Sequence, residues 1–178
     1  NGDDPVKAAI AMNLRLNELN HRSKNNKNEK VRMGVGIHCG NLILGTIGQE
    51  ERMETTVISD TVNASARLET LNKIYGTKIL ISSQLKSNLS DELMTYTRLI
   101  DNTQVKGKTD FVEVYEVFAA DDENLQKLKI ETKPDFEKAV SLFLDGDLKK
   151  STLIFKDLYK NVKEDSVLRY WIEKLQKA

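Results

Sequence analysis

The spacing of apolar positions changes along the chain, and each change marks a different kind of element. Near the start Ala9, Met12, Leu16 and Leu19 recur at intervals of three and four, the period of one face of an α-helix. Asp3 and Asp4 ahead of Pro5 supply a cap and a first-turn proline, and the pattern predicts an end near His21. Residues 23–30, SKNNKNEK, hold no apolar side chain and read as an exposed connection. Beyond them the apolar runs become short and β-branched. Residues 31–38 and 42–47 flank Gly40 and Asn41, which predicts a β-hairpin; a second turn is expected at 48–52 and another strand at 55–58.

Ser59 and Asp60 then offer a cap for a helix that runs to about Tyr75 and is stopped by Gly76. Its apolar stripe is Ala64, Leu68, Leu71 and Tyr75, and Asn63, Arg67 and Thr70 make a polar stripe beside it. A strand at 78–81, a short helix capped by Ser82 and running to 89, and strands at 95–100 and 111–118 complete this part. Helices and strands alternate without a strict period, which predicts an α+β or mixed α/β domain over residues 1–120.

From residue 121 onward only helical spacing remains. Phe136, Val140 and Phe143 form one apolar face, and Gly146 interrupts it. Leu148, Thr152, Phe155 and Tyr159 form a second face, and Val167, Tyr170, Trp171 and Leu175 a third. Such helix pairs resemble a tetratricopeptide unit, but residues 121–178 are too few for the three or more repeats of a stable solenoid. The expectation is an all-α extension, either a cap docked on the preceding domain or a stub of an interaction array.

Composition narrows the function classes. The 178 residues are 39% hydrophobic and 30% charged, enough for a real core in one soluble domain with an appendage. Lys plus Arg number 27 and Asp plus Glu 27, so no global field favours nucleic acid or an anionic membrane, and phosphate recognition has to be local. No apolar run approaches the ~20 residues of a membrane span, and the single Cys39 excludes an internal disulfide framework. A reducing, cytoplasmic setting is the default expectation. The chain opens on Asn-Gly-Asp-Asp without a leader, which reads as a cut rather than a natural start. GVGIHCG at 34–40 has the wrong spacing for a dinucleotide-binding turn and no helix after it. His38 and Cys39, with only His21 elsewhere, cannot assemble a four-ligand zinc site or a catalytic triad, so they are assigned structural roles.

One combination is far more specific. Residues 31–69, VRMGVGIHCGNLILGTIGQEERMETTVISDTVNASARLE, resemble the second half of a class III adenylate and guanylate cyclase catalytic domain, and residues 105–117, VKGKTDFVEVYEV, resemble its closing strands. The resemblance extends over about residues 3–118, and helical tails of this kind occur in bacterial members. It implies a partial ferredoxin-like cyclase domain followed by the all-α tail, and a conversion of ATP to cyclic AMP and pyrophosphate that serves signal transduction.

Taken singly, Asn63 and Arg67 would read as a solvated helix face, Lys106 as a turn lysine and Thr56 as an ordinary strand residue. The ordered match reverses that preference. Cyclisation needs the sugar held, the growing phosphate charge neutralised and the leaving pyrophosphate bound. The resemblance implies that Asn63 orients the ribose, that Arg67 stabilises the α-phosphate, and that Lys106 contacts the distal phosphates, with Lys108 a second contributor. Thr56 falls at the purine-selecting position, where threonine or serine favours ATP. Ser59 departs from the family's usual glycine and alters the turn that aims Asn63.

The family's two metal-binding aspartates, for Mg²⁺ or Mn²⁺, belong to a segment expected before Asn1, so this stretch by itself is expected to be inactive. The family also builds its site between two subunits, which implies a homodimer with metals from one chain and the Asn63 and Arg67 positions from the other. The competing expectation is a non-catalytic cyclase-like module that keeps the dimer surface and tail without the chemistry.

Overall fold

The computed structural model describes residues 2–22, 30–41, 43–49, 52–58, 60–104 and 111–177, and within strands the side chains of 43–49, 52–58, 104 and 111 are outside the description. Helix α1 (Asp3–Arg22) opens the chain, followed by strands β1 (Val35–Ile37), β2 (Ile43–Gln49) and β3 (Arg52–Ile58). Helix α2 (Asp60–Tyr75), strand β4 (Ile79–Ser82), the short helices α3 (Ser83–Lys86) and α4 (Asp91–Thr95), and strands β5 (Thr97–Gln104) and β6 (Phe111–Val117) complete the α+β part. Three helices follow: α5 (Glu123–Leu144), α6 (Leu148–Asn161) and α7 (Ser166–Gln176).

The main sheet has the order β1-β4-β6-β5, with β1 parallel to β4 and the other pairs antiparallel. The expected hairpin between residues 31–38 and 42–47 is not what forms. Segment 43–49 pairs instead with 52–58, from Ile43 opposite Ile58 to Gln49 opposite Arg52, as a separate two-stranded sheet. β1 joins β4 as a parallel neighbour, Gly36 beside Leu80. Of the turn expected at 48–52, residues 50 and 51 lie outside the described residues, and Gly40 and Asn41 lie in the connection from β1 to β2. Both readings use the same glycines and aliphatic residues, and a short apolar run does not reveal its partner strand.

Alternation along the central strands divides the core in two. Ile79 and Ile81 of β4, with Tyr115 and Val117 of β6, point to one face and pack with Val6 and Ala9 of α1, Leu85 of α3 and Leu93 of α4. Leu80, Val114 and Ile100 point to the other face and form a single cluster with Leu68 and Tyr75 of α2 and with Phe136, Val140, Phe155, Val167 and Trp171 of the helical tail. The tail is therefore docked, as one of the two expectations had it, and it shares its apolar cluster with the sheet.

The docking is also ionic. Arg98 on β5 is completely buried, donates through both terminal nitrogens to the two Asp165 oxygens at 2.7 and 2.9 Å, and reaches Glu116 of β6 through Nε at 2.8 Å. Lys129 of α5, also buried, lies 2.7 Å from Glu116 Oε1 and 2.7 Å from Asp121 Oδ2. Asp165 additionally caps α7 by accepting from the Val167 and Leu168 amides. Burial opposes its ionisation, but Arg98 outweighs burial and holds the Asp165 carboxyl down to about 2. Buried charges survive only with such complete pairing.

Candidate functional site

The helix with the two polar candidates is fixed at both ends and in the middle. Thr61 Oγ1 donates to the Asn41 carbonyl at 2.8 Å, joining the first turn of α2 to the crossover before β2. At mid-helix Gly36 of β1 lies so close that a Cβ there would overlap the Ser65 carbonyl and the Glu69 amide nitrogen; only glycine allows this approach. Asn72 Nδ2 donates to the Val35 carbonyl at 3.1 Å. At the end Gly76 takes φ +69° and Thr77 N donates to the Asn72 carbonyl at 3.1 Å, a Schellman stop.

Asn63 and Arg67 occupy one flank of α2, a turn apart. Asn63 is exposed, and Arg67 is half-buried. The apolar stripe expected beside them is present: Leu68 and Tyr75 are buried at 4% and 3% exposure, with Leu71 packed on the same cluster. Arg67 borders a cavity of about 230 Å³ between α2 and the sheet, lined also by His38, Leu71, Ser82, Thr103 and Val114. A guanidinium that lines such a space can present several donors to an anion there.

His38 has a part in this arrangement beyond simple packing. Its Nδ1 shares a hydrogen bond with Ser82 Oγ at 2.8 Å, and Ser82 also accepts from the Leu85 amide as the cap of α3. Cys39 is half-buried against the α1 face of the core, in agreement with a structural role.

Two of the four candidate residues are therefore brought together, on α2. Thr56 lies in β3 with its backbone opposite Gly45, and its side chain is outside the description. Lys106 and Lys108 fall outside the described residues altogether, between β5 and β6 in the chain. Among the described residues no group of three or more His, Cys, Asp or Glu could hold a metal ion. Asp3, which the sequence places near the start, is a structural residue: its Oδ1 accepts from the Ser90 amide at 2.9 Å, and Lys7 lies 3.5 Å from its other oxygen. The described residues thus do not fit Mg²⁺ or Mn²⁺ on their own. No helix among them is long and apolar enough to cross a membrane.

The buried charges of the tail junction were missed from sequence. Their trace is visible in hindsight as charged residues at inward positions, Arg98 two before Ile100 and Glu116 between Tyr115 and Val117.

Residues 1–118 match the family model described as the adenylate and guanylate cyclase catalytic domain. An adenylate cyclase of Anabaena cylindrica is 38% identical over 124 residues, covering 67% of this chain and 25% of that protein. The adenylyl cyclase CyaB from P. aeruginosa superposes with a TM-score of 0.52 at 29% identity, over 63% of this chain and 56% of the other. A bacterial light-regulated adenylyl cyclase shares the fold with a TM-score of 0.58 at 24% identity, over 74% of this chain and 39% of the other. The chain spans a quarter or less of the length of the curated relatives it matches.

Proposed function

Since the chain belongs to the adenylate and guanylate cyclase catalytic domain family, we propose that the complete protein converts ATP to cyclic AMP and pyrophosphate at a site shared between two subunits. The observation that carries this reading is the pairing of Asn63 and Arg67 on one flank of α2, with Arg67 lining a cavity. Three curated relatives named adenylate cyclase support ATP over GTP.

In this reading residues 1–120 are the C-terminal part of the catalytic domain and 121–178 a helical, tetratricopeptide-like extension. Asn63 holds the ribose, since an amide both donates and accepts within a sugar hydroxyl network. Arg67 offers charge and a fork of donors where the α-phosphate gains charge. Thr56 contacts the purine edge and Lys106 the departing pyrophosphate. Mg²⁺ or Mn²⁺, bound by aspartates outside this chain's described residues, supplies charge neutralisation and activation of the 3′ hydroxyl when present. The partners are ATP, a second cyclase subunit and the remainder of the domain, and the setting is cytoplasmic signalling.

Complementation tests the shared site. In the complete protein Arg67→Ala is expected to lower turnover by ~10² or more while nucleotide binding changes much less. A second variant without the upstream metal-binding aspartates is expected to be inactive. A heterodimer of the two contains one site with both defects and one with neither, so mixing is expected to restore up to about half of wild-type activity per heterodimer, which is about a quarter for an equimolar mixture after random exchange. Full activity of Arg67→Ala removes Arg67 from the site. A dead mixture after demonstrated subunit exchange removes the shared architecture, and a complete protein without the two aspartates favours the non-catalytic module.

A further inference from the structure

Helix α2 does not rest on the sheet alone; its last turn is gripped by α7. The Gly76 carbonyl accepts a hydrogen bond from Ser166 Oγ at 3.0 Å, at the first residue of α7. One residue earlier, the buried Tyr75 ring meets the Tyr170 ring edge-on at 4.8 Å. Tyr75 also donates to Asp101 Oδ2 at 2.7 Å, and Lys174 of α7 lies 3.6 Å from that same oxygen.

Helix α7 is in turn bolted to β5. Beyond the Arg98–Asp165 pair, Trp171 Nε1 donates to the Ile100 carbonyl at 3.0 Å. The β5–β6 register shifts between Leu99 and Asp101, so Ile100 stands at a bulge and its carbonyl is available for this bond.

Besides the Thr61 bond at its first turn and the Asn72 bond to β1, α2 has two further supports. One is the close approach of Gly36 at Ser65 and Glu69, which bracket Arg67; the other is the α7 grip at Tyr75 and Gly76. At 1.5 Å per residue, Gly76 lies ~13 Å beyond Arg67 and Asn63 ~6 Å before it. About a pivot at the Gly36 contact, a 1 Å shift of the last turn of α2 tilts Arg67 and displaces Asn63 by up to roughly 0.5 Å in the opposite sense, working against the Thr61 bond at the first turn. Positional errors of about 1 Å can cost ~10² in rate.

We propose that α7 is a positioning element of the cyclase site, in which Ser166 and Tyr170 set the aim of Asn63 and Arg67 through the last turn of α2. Movement of the helical tail is thereby transmitted to turnover, which gives residues 121–178 a role in the reaction beyond packing. The inference rests on the roles given to Asn63 and Arg67 above.

The test uses the complete protein and steady-state kinetics with ATP. Ser166→Ala with Tyr170→Ala is expected to lower kcat by ~5–30-fold while KM stays within about twofold, because binding is retained and alignment is lost. Tyr170→Phe, which keeps the ring against Tyr75, restores most of kcat in the Ser166 background. Val140→Ala disturbs the tail core without removing either grip on α2, and well below its melting temperature it is expected to keep wild-type kcat. If the double variant does not fold, Ser166→Ala alone carries the test, with an expected loss of ~2–5-fold. Wild-type kcat in the Ser166 and Tyr170 variants overturns the proposal, as does an equal loss in Val140→Ala. An inactive Arg67→Ala beside fully active grip variants overturns this inference alone, whereas an active Arg67→Ala overturns the reading beneath it as well.

Discussion

Arg67 and Arg98 bring the same guanidinium into two unlike regions. Arg67 stands on the flank of a helix, half-buried, beside a cavity of about 230 Å³. Arg98 stands on a strand, completely buried, closed on both sides by Asp165 and Glu116 and lying over the Phe136 ring with its carbon 4.2 Å from the centroid. An arginine that acts on a substrate needs space for the anion it stabilises. One that joins two parts of a fold needs the opposite, with every donor satisfied internally, since an uncompensated buried charge costs several kcal/mol. Role is therefore read from surroundings rather than residue type.

Substitution separates the two regions most sharply. Arg98→Met leaves Asp165 without its bidentate partner and takes one of two cations from Glu116, so unfolding free energy is expected to fall by about 3–5 kcal/mol. For a chain of this size that lowers the melting temperature by roughly 6–20 °C. Arg67→Ala is expected to leave the melting temperature close to wild type while turnover in the complete protein collapses. Thermal unfolding and cyclic AMP formation, measured on both variants, check the contrast. If Arg67→Ala also melts early, Arg67 belongs with the architecture and the comparison breaks.

Acid sharpens the same distinction. Asp165 is held down to about 2, against burial, by Arg98 and secondarily by Lys129. A carboxyl whose folded value lies below its unfolded value of ~3.9 contributes stability that is fully present above pH ~4 and is lost as pH falls toward ~2. The contribution at stake is about 2–3 kcal/mol. Denaturant titrations from pH 6 to 2 are expected to show this loss, and Asp165→Asn, less stable at pH 6, is expected to have a shallower acid limb. An unchanged limb would mean that Asp165 is not the group that titrates.

Local signals explain what was legible in the chain. The stripe and Gly76 stop of α2 are written within contiguous residues 60–76, and helix, stop and the flank shared by Asn63 and Arg67 form as expected, while Ser59 of the expected cap lies outside the described residues. The three tail helices likewise follow from their own spacing, their expected faces within the observed spans. Partner choice was not local. Residues 31–38 and 42–47 are similarly aliphatic, so local spacing pairs them with each other, and only the assembled sheet decides that β1 joins β4. The ion network was illegible for the same reason: Arg98, Lys129 and Asp165 are far apart in the chain, and each alone looks like a surface charge.

The smallest expected effect concerns Thr56, which stands in β3 just before α2 and to which the proposed function gives a contact with the base. ATP and GTP differ at the purine edge, one presenting an amino donor and the other a carbonyl acceptor. A threonine hydroxyl can serve either through its rotor, whereas a thiol is a weak donor and weaker acceptor. Replacing Thr56 with cysteine therefore alters one contact among several, and the preference for ATP over GTP is expected to fall by ~1 kcal/mol, roughly fivefold in the ratio of kcat/KM values. The melting temperature is expected to stay within a degree or two of wild type, in contrast to Arg98→Met. Kinetics with each nucleotide on the complete protein decide the matter. An unchanged ratio removes Thr56 from purine recognition. An equal fall with both nucleotides means that β3 acts on turnover through the start of α2, placing Thr56 with Ser166 and Tyr170 among the residues that aim the helix rather than those that read the base.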